Sequence, residues 1–399
     1  MKILVVSQYF YPENFRINQL CFELVNLGHH ITVITGYPNY PGGYIYEKYK
    51  NKDVKEEKIR GVQIIRVNLC QRRKNPINLL LNYLSFAWNA HHRIKKIKGD
   101  FDCVFVFEVS PITQIFPAWT YKRKYGIPLI INCQDIWPDV VKVYGIKENT
   151  IIFNLIKKIS AFLYKKGDLV ITSSPGFNLY LEKTCEVNHD KIVYLPNFAE
   201  DFYLSFDNRS NFYDKLHILF AGNIGKAQNL DTIVYAINKL SELEKEKIIV
   251  DILGDGSYLE QLKKIANNLA LEKIIQFHGR KSIEEIREYY EKADAFIITL
   301  DGNSPVSLTI PSKLQGYMGA GKPILGAING GAKDIIEKAR CGKCVNAGDV
   351  NNFSAIISEF IKDDLHYQEL GKNGRQYFIE HFTLKKYIQQ LLTIMEEIK

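Results

Sequence analysis

Long apolar runs are missing from this chain. No stretch reaches the roughly 18 consecutive apolar residues that a spanning helix requires, since even Ile77–Trp88 is interrupted by Asn78, Asn82 and Ser85. An integral membrane protein is therefore not expected. Seven cysteines form an odd set with no regular spacing, and no secretory segment precedes Lys2-Ile-Leu-Val-Val, so a reducing cytoplasm is the expected compartment. A paired metal motif is also lacking: Cys341-x2-Cys344 has no second ligand pair, and Asp100-Phe-Asp102 opens a strand, away from the end where chemistry collects. Gly316-x4-Gly321-Lys322 resembles a phosphate loop, but Pro323 stands where a magnesium-binding hydroxyl is needed, and the segment closes a helix rather than opening one.

What is present is the composition of an ordinary folded protein, with 399 residues, 46% hydrophobic and 24% charged. That length predicts two domains, each able to bury its own core. Residues 1–200 hold 27 Lys and Arg against 17 Asp and Glu, whereas the remainder holds 25 against 27, so the net charge of +8 belongs to the first half.

Apolar runs alternate with helical spacing throughout. Ile3–Val6, the segment after Gly28, Ile64–Val67, Cys103–Phe107, Leu129–Asn132, Leu169–Thr172 and Ile192–Tyr194 read as buried parallel strands of a doubly wound domain over residues 1–195. Pro196–Lys215 breaks the pattern and is expected to be a linker and hinge. A second alternation over 216–375 places strands at Leu216–Gly222, Ile248–Leu253, Ile274–Phe277, Ala295–Leu300, Pro323–Gly326 and Lys343–Val345. A last segment, 376–399, carries an amphipathic helix from Leu384 that is expected to brace the domains. In open parallel sheets ligands bind beyond the carboxyl ends of the strands, which selects the loops there.

In the second half those loops suit an anion. Gly222-Asn-Ile-Gly-Lys, with Gly225, follows a strand and precedes a helix expected near Asn229, so its backbone N–H groups can meet a phosphate; the alternative is a glycine turn needed only for packing. Gly254-Asp255-Gly lies in the equivalent loop after the next strand. In Thr309-Ile-Pro-Ser312-Lys313-Leu-Gln315, Pro311 and Ser312 start a helix and Lys313 falls in its first turn, where the dipole disfavours a cation unless an anion is present. In the first half, Asn132-Cys-Gln134-Asp135-Ile-Trp137-Pro-Asp139 offers polar groups beside an indole, a combination suited to a sugar. The structural alternative is that Asp135 or Asp139 caps the next helix. Tyr9-Phe-Tyr-Pro-Glu13-Asn-Phe15-Arg16 supplies aromatic and charged groups to the same mouth. Arg72-Arg-Lys, the amphipathic Ile77–Trp88, His91–Lys98 and Lys165-Lys166 make a basic, partly apolar surface expected to meet anionic lipid; with no recognised binding module, nucleic acid is not the expected partner.

These stretches, taken in order with Gly28-His-His-Ile-Thr-Val-Ile-Thr and Ala320-Gly-Lys-Pro, resemble the family 4 glycosyltransferases of the GT-B fold, above all bacterial capsule and O-antigen enzymes including N-acetylfucosamine transferases. The resemblance implies two Rossmann-like α/β domains facing across a cleft. It further implies retaining, metal-independent transfer of a sugar, N-acetylated and carried on UDP, to a lipid-linked, undecaprenyl-type oligosaccharide. That work would be done peripherally on the inner face of the cell membrane, with no cofactor beyond the donor substrate. The residues it points to as catalytic are Asp135, Lys313, Arg16 and Glu13. Gly222, Asn223, Gly225, Gln228, Gly254, Asp255, Arg280, Lys281, Thr309, Ser312, Lys313 and Gln315 would hold the donor, and Tyr9, Phe15, Gln134 and Trp137 the acceptor.

The chain also departs from the broad family. The family's paired glutamates fall at Leu308 and Gly316, its phosphate-binding Arg and Lys at Asn223 and Gln228, its histidine at Gln134 and its first glycine pair at Phe15-Arg16. Lys313, Arg280 and Lys281 are then the cations left for the diphosphate. Two other readings share the architecture: a nucleotide-sugar 2-epimerase, which would want acid and base carboxylates, and a catalytically inactive nucleotide-sugar-binding protein, which turnover would distinguish.

Overall fold

A computed structural model describes residues 1–73, 75–206, 214–302 and 308–398. Lys74, part of the Pro196–Lys215 linker and part of the loop between Asp301 and Ser312 lie outside the described residues. The chain divides into two compact units, Met1–Leu195 with Ile388–Lys399, and Pro196–Tyr387.

The first unit is built on strands β1 (Lys2–Val6), β2 (His30–Gly36), β3 (Glu56–Ile59), β4 (Val62–Val67), β5 (Cys103–Glu108), β6 (Leu129–Cys133), β7 (Leu169–Thr172) and β8 (Ile192–Tyr194). They form one sheet in the order β3-β4-β2-β1-β5-β6-β7-β8, parallel except for β3. Helices α1 (Arg16–Asn26), α2 (Pro76–Ile94), α3 (Ile115–Tyr125), α4 (Ile151–Tyr164) and α5 (Pro175–Cys185) connect them. β5, β6 and β7 are buried at every position, which follows from their unbroken apolar sequences and from cover on both faces. β3 was not expected: its sequence Glu-Glu-Lys-Ile carries charges suited to an exposed edge and gives no apolar run to detect.

The second unit has strands β9 (Leu216–Ala221), β10 (Ile248–Leu253), β11 (Ile275–Gly279), β12 (Ala295–Thr299), β13 (Ile324–Ala327) and β14 (Gly342–Val345), all parallel in the order β11-β10-β9-β12-β13-β14. Helices α6 (Asp231–Asn238), α7 (Glu242–Lys245), α8 (Leu259–Asn268), α9 (Ile283–Lys292), α10 (Ser312–Ala320), α11 (Gly331–Ala339), α12 (Val350–Lys362), α13 (Asp364–His381) and α14 (Leu384–Glu397) complete the chain. One apolar layer packs α6, α8 and α12 on the sheet, and another packs α9, α10, α11 and α13 on its other face. The expected start of a bracing segment at residue 376 falls inside α13. The break comes at Phe382-Thr383, where Thr383 Oγ1 accepts the Lys386 N–H at 3.4 Å and caps the next helix.

Strand order reverses between β1 and β5 in one sheet and between β9 and β12 in the other, which marks the loops after those strands as binding positions in each unit. In the second unit three such loops are stacked on glycine backbone. Gly222 N–H donates to Leu253 O at 2.9 Å, Ile224 N–H to Asp255 O at 2.9 Å and Gly254 N–H to Gly279 O at 2.8 Å. Gly254 has φ +132°, and a Cβ there would stand 1.8 Å from Gly222 O. Gly254→Ala should therefore cost at least about 2 kcal/mol, read from denaturant melting of the second unit. Gly42→Ala, where the added carbon meets nothing within 4 Å, should change stability by less than about 0.5 kcal/mol.

Candidate functional site

In the second unit the site grows from the end of β9. Tyr317 on α10 is fully buried and stacked on Phe296 with ring centroids 4.2 Å apart. Its hydroxyl accepts the Ala221 N–H at 2.8 Å and donates to Ala221 O at 3.2 Å. This clamp sets the first turn of α10 against the Gly222 loop. Lys313 in that turn extends over the Phe220 ring, with Nζ 3.7 Å from the centroid, and fills the space that a side chain at Gly222 would take, 2.8 Å from the Cβ position. The ammonium is buried with no hydrogen-bond partner among the described residues, and that burial pulls its pKa down to about 7. Cation and ring give partial compensation; an anion would give far more.

The neighbouring residues have more local jobs than the sequence suggested. Gln228 Oε1 accepts the Gly225 N–H at 3.0 Å and Asn223 Nδ2–H at 3.1 Å, so this pair shapes the loop where the broad family places its cations. A 3-10 turn, Lys226–Gln228, intervenes before α6, which begins two residues later than the expected start near Asn229 because Asn229 itself is left-handed at φ +51°. Asp255 is exposed and its Oδ1 accepts the Gly256 N–H at 2.7 Å. Lys281, expected beside the diphosphate, is instead bound to Glu285 at 3.2 Å, the ordinary outcome of i,i+4 spacing in an opening helix turn, and Arg280 is exposed. Thr309 is half-buried and Ser312 is exposed at the start of α10. Gln315, buried, donates from Nε2 to Asn197 O at 2.6 Å, which fastens the beginning of the second unit. Gly316, standing where a glutamate was looked for, has no room for one: a Cβ would lie 2.9 Å from the Tyr203 ring.

In the first unit Asp135 Oδ2 accepts both Ser110 N–H and Ser110 Oγ–H at 2.7 Å, joining the loops after β5 and β6. Beneath it lies a carboxyl that the sequence analysis did not single out. Glu108 is fully buried, its Oε2 accepts the Tyr164 hydroxyl at 3.2 Å, and burial with the Asp135 charge holds its pKa well above the usual carboxylate range. Its position was legible: it directly ends the apolar run Cys103–Phe107 at the carboxyl edge. Glu13 is turned inward, accepting the N–H groups of Asn39 (2.8 Å), Tyr40 (2.7 Å) and Phe10 (3.3 Å), so it ties the β1 and β2 loops together rather than offering an oxygen to substrate. Burial raises its pKa to about 7 against those bonds. Tyr9 is buried and stacked on Phe15 at 5.1 Å, Arg16 opens α1, and Gln134 Nε2 donates to Asn132 Oδ1. Trp137 is buried, its ring tilted at 72° to Tyr83 with centroids 6.5 Å apart.

The same unit presents an unusual outer surface. α2, α3 and α4 contain no Asp or Glu. Ile77, Leu80, Leu81, Leu84 and Trp88 are exposed along α2, and Ile151, Ile152, Leu155, Ile159 and Phe162 along α4. Ring contacts join the two stripes through α3: His91 to Phe116 at 4.7 Å, Phe116 to Trp119 at 6.1 Å and Trp119 to Phe162 at 5.5 Å. Lys166 lies over Phe162 at 4.3 Å and Arg123 over Trp119 at 5.2 Å.

Two doubly wound α/β units, the second with a buried lysine of its α10 helix set against a glycine loop, define a two-domain transferase class of architecture. Comparison with known proteins agrees. The family described as Glycosyltransferase Family 4 matches residues 15–201 and that described as Glycosyl transferases group 1 matches residues 205–377. The chain is 23% identical to the glycosyltransferase MJ1069 of Methanocaldococcus jannaschii over 100% of its own length and 99% of that protein's. It is 24% identical to WcaI of Escherichia coli K12, named for colanic acid biosynthesis, over 80% of this chain and 82% of the other. Anabaena HepE, solved in complex with UDP, superposes with a TM-score of 0.71 at 13% identity, covering 100% of both chains, a likeness of fold. The chain belongs to the GT-B glycosyltransferases, with the two domains of families 4 and group 1.

Proposed function

We propose that the protein moves an N-acetylated sugar from UDP to a lipid-linked oligosaccharide, with retention and without a metal, in the building of a bacterial capsule or O-antigen. The observation that carries the reading is the Lys313 ammonium, buried beside Gly222 with no hydrogen-bond partner among the described residues. A diphosphate leaving group develops negative charge as the sugar departs, and a fixed cation at a helix start stabilises that charge without reorganising. Lys313 takes the part that the broad family gives to residues replaced here by Asn223 and Gln228. The donor reading draws support from HepE, which was crystallised with UDP, and the glycan reading from the colanic acid name of WcaI. Asp135 and Arg16 are proposed on the acceptor side.

Lys313→Ala should lower turnover on UDP-N-acetyl sugars by about ten- to a thousandfold, equivalent to about 1.4–4 kcal/mol of lost transition-state stabilisation. Wild-type turnover should survive a chelator. Normal turnover in the variant, or activity lost in chelator and restored by magnesium, would contradict this mechanism.

We also propose that the α2–α3–α4 face rests on anionic lipid at the inner face of the membrane, where its acid-free basic and apolar groups would find both phosphate and hydrocarbon. No described helix is long and apolar enough to cross a bilayer. Sedimentation with vesicles rich in anionic lipid should exceed that with neutral vesicles, fall as salt rises, and be lost in Ile152→Glu with Leu155→Glu. Equal recovery with both vesicle types would argue against the assignment.

A further inference from the structure

The first unit handles its arginines in two different ways. Arg66 is buried and salt-bridged, with Nε donating to Glu57 at 2.6 Å and Nη2 donating to Tyr11 O at 2.7 Å. Arg72, half-buried on the loop before α2, has no carboxylate partner among the described residues. Its one hydrogen bond among the described residues is a long one, from Nη1 to the Tyr9 hydroxyl at 3.5 Å, and its guanidinium lies over the Tyr40 ring at 5.0 Å. Tyr83 and Tyr144, with Tyr9 and Tyr40, stand close enough to act on its charge. Glu13, the carboxylate beside Tyr9, is committed to backbone N–H groups. Burial keeps the phenols of Tyr9 and Tyr83 protonated, so they are available as donors.

A planar guanidinium with unused donors, set among four phenols, matches an anion with several oxygens. Tyr40 and Tyr144 are exposed, which leaves the cluster open to solvent. The sequence next to Arg72 extends the argument. Asn75 caps α2 and Pro76 opens it, and the exposed stripe of Ile77, Leu80, Leu81 and Leu84 begins at once. An anionic head held at Arg72 would have an apolar surface beginning five residues away in sequence.

We propose that Arg72, with Tyr9, Tyr40, Tyr83 and Tyr144, binds the phosphate ester of a prenyl-type lipid acceptor. This rests on the lipid-linked acceptor reading above and gives that acceptor its anchoring group. Arg72 here binds and orients; it takes no part in breaking the donor bond.

The test uses the full chain saturated with UDP, so that the donor site is filled, and titrates farnesyl diphosphate, farnesol and inorganic pyrophosphate by calorimetry. Farnesyl diphosphate should bind at least about tenfold more tightly than either of the others, Arg72→Gln should erase that advantage, and Arg72→Lys should restore part of it. UDP affinity should be the same in all three proteins, which shows that the variants are folded and separates this result from failure of the donor reading. Unchanged farnesyl diphosphate affinity in Arg72→Gln would overturn the proposal. So would pyrophosphate binding as tightly as the lipid, which would make the cluster a site for a free anion.

Discussion

A lysine amine held out of water, with no counter-ion among the described residues, is expensive to charge, and the second unit is arranged around one. Lys313 is placed there by the Tyr317 clamp on Ala221, lies on the Phe220 ring, and occupies the space that Gly222 leaves open. Each of those contacts constrains a neighbour. Gly222 must lack a side chain because Lys313 fills that space, Gly254 because its loop meets the Gly222 backbone, and Gly316 because Tyr203 packs against α10. The burial that lowers the Lys313 pKa to about 7 is thus a product of packing that the fold needs anyway. A free site with that property is poised for an anion: the binding that restores the proton also removes the electrostatic penalty.

The first unit spends its buried carboxyls differently. Glu13 holds two loops by their N–H groups, and Glu108 lies beneath Asp135, shielded and bonded to Tyr164. Both are turned toward the protein, and Asp135 is itself tied to Ser110. Arg72, by contrast, has no carboxylate partner among the described residues, while Arg66 has one in Glu57. The buried acids of this unit thus build its loops, while the helices α2, α3 and α4 carry no acid at all.

Much of this architecture was legible because buried parallel strands are written as unbroken apolar runs. β7, β8 and β10 begin and end at the residues where their runs do, and the start of α10 was readable from Pro311-Ser312. β3 was illegible because an edge strand needs charge rather than apolar periodicity. At the site, Lys313 could be found from the conflict between its charge and the helix dipole. Lys281 could not be separated from it, since pairing with Glu285 depends on where α9 begins. Glu13 and Trp137 carried the chemistry of a binding loop in sequence, but only the fold shows which way each side chain faces. Arg72 read as one more surface base, and only the fold sets it against Tyr9 and Tyr40.

The central claim is that the Lys313 ammonium is completed by a diphosphate, and proton linkage on UDP binding tests it most directly. In the free protein Lys313 is largely neutral above its pKa of about 7, against an ordinary value of 10.5, and pairing with a diphosphate must raise that pKa. Binding between those limits therefore takes up a proton. Calorimetric titration of UDP at pH 8, in two buffers of different ionisation enthalpy, should give uptake of close to one proton, with affinity falling by up to about tenfold per pH unit above pH 7 and no uptake in Lys313→Met. UDP binding with no proton uptake and an affinity independent of pH across that window would contradict the account.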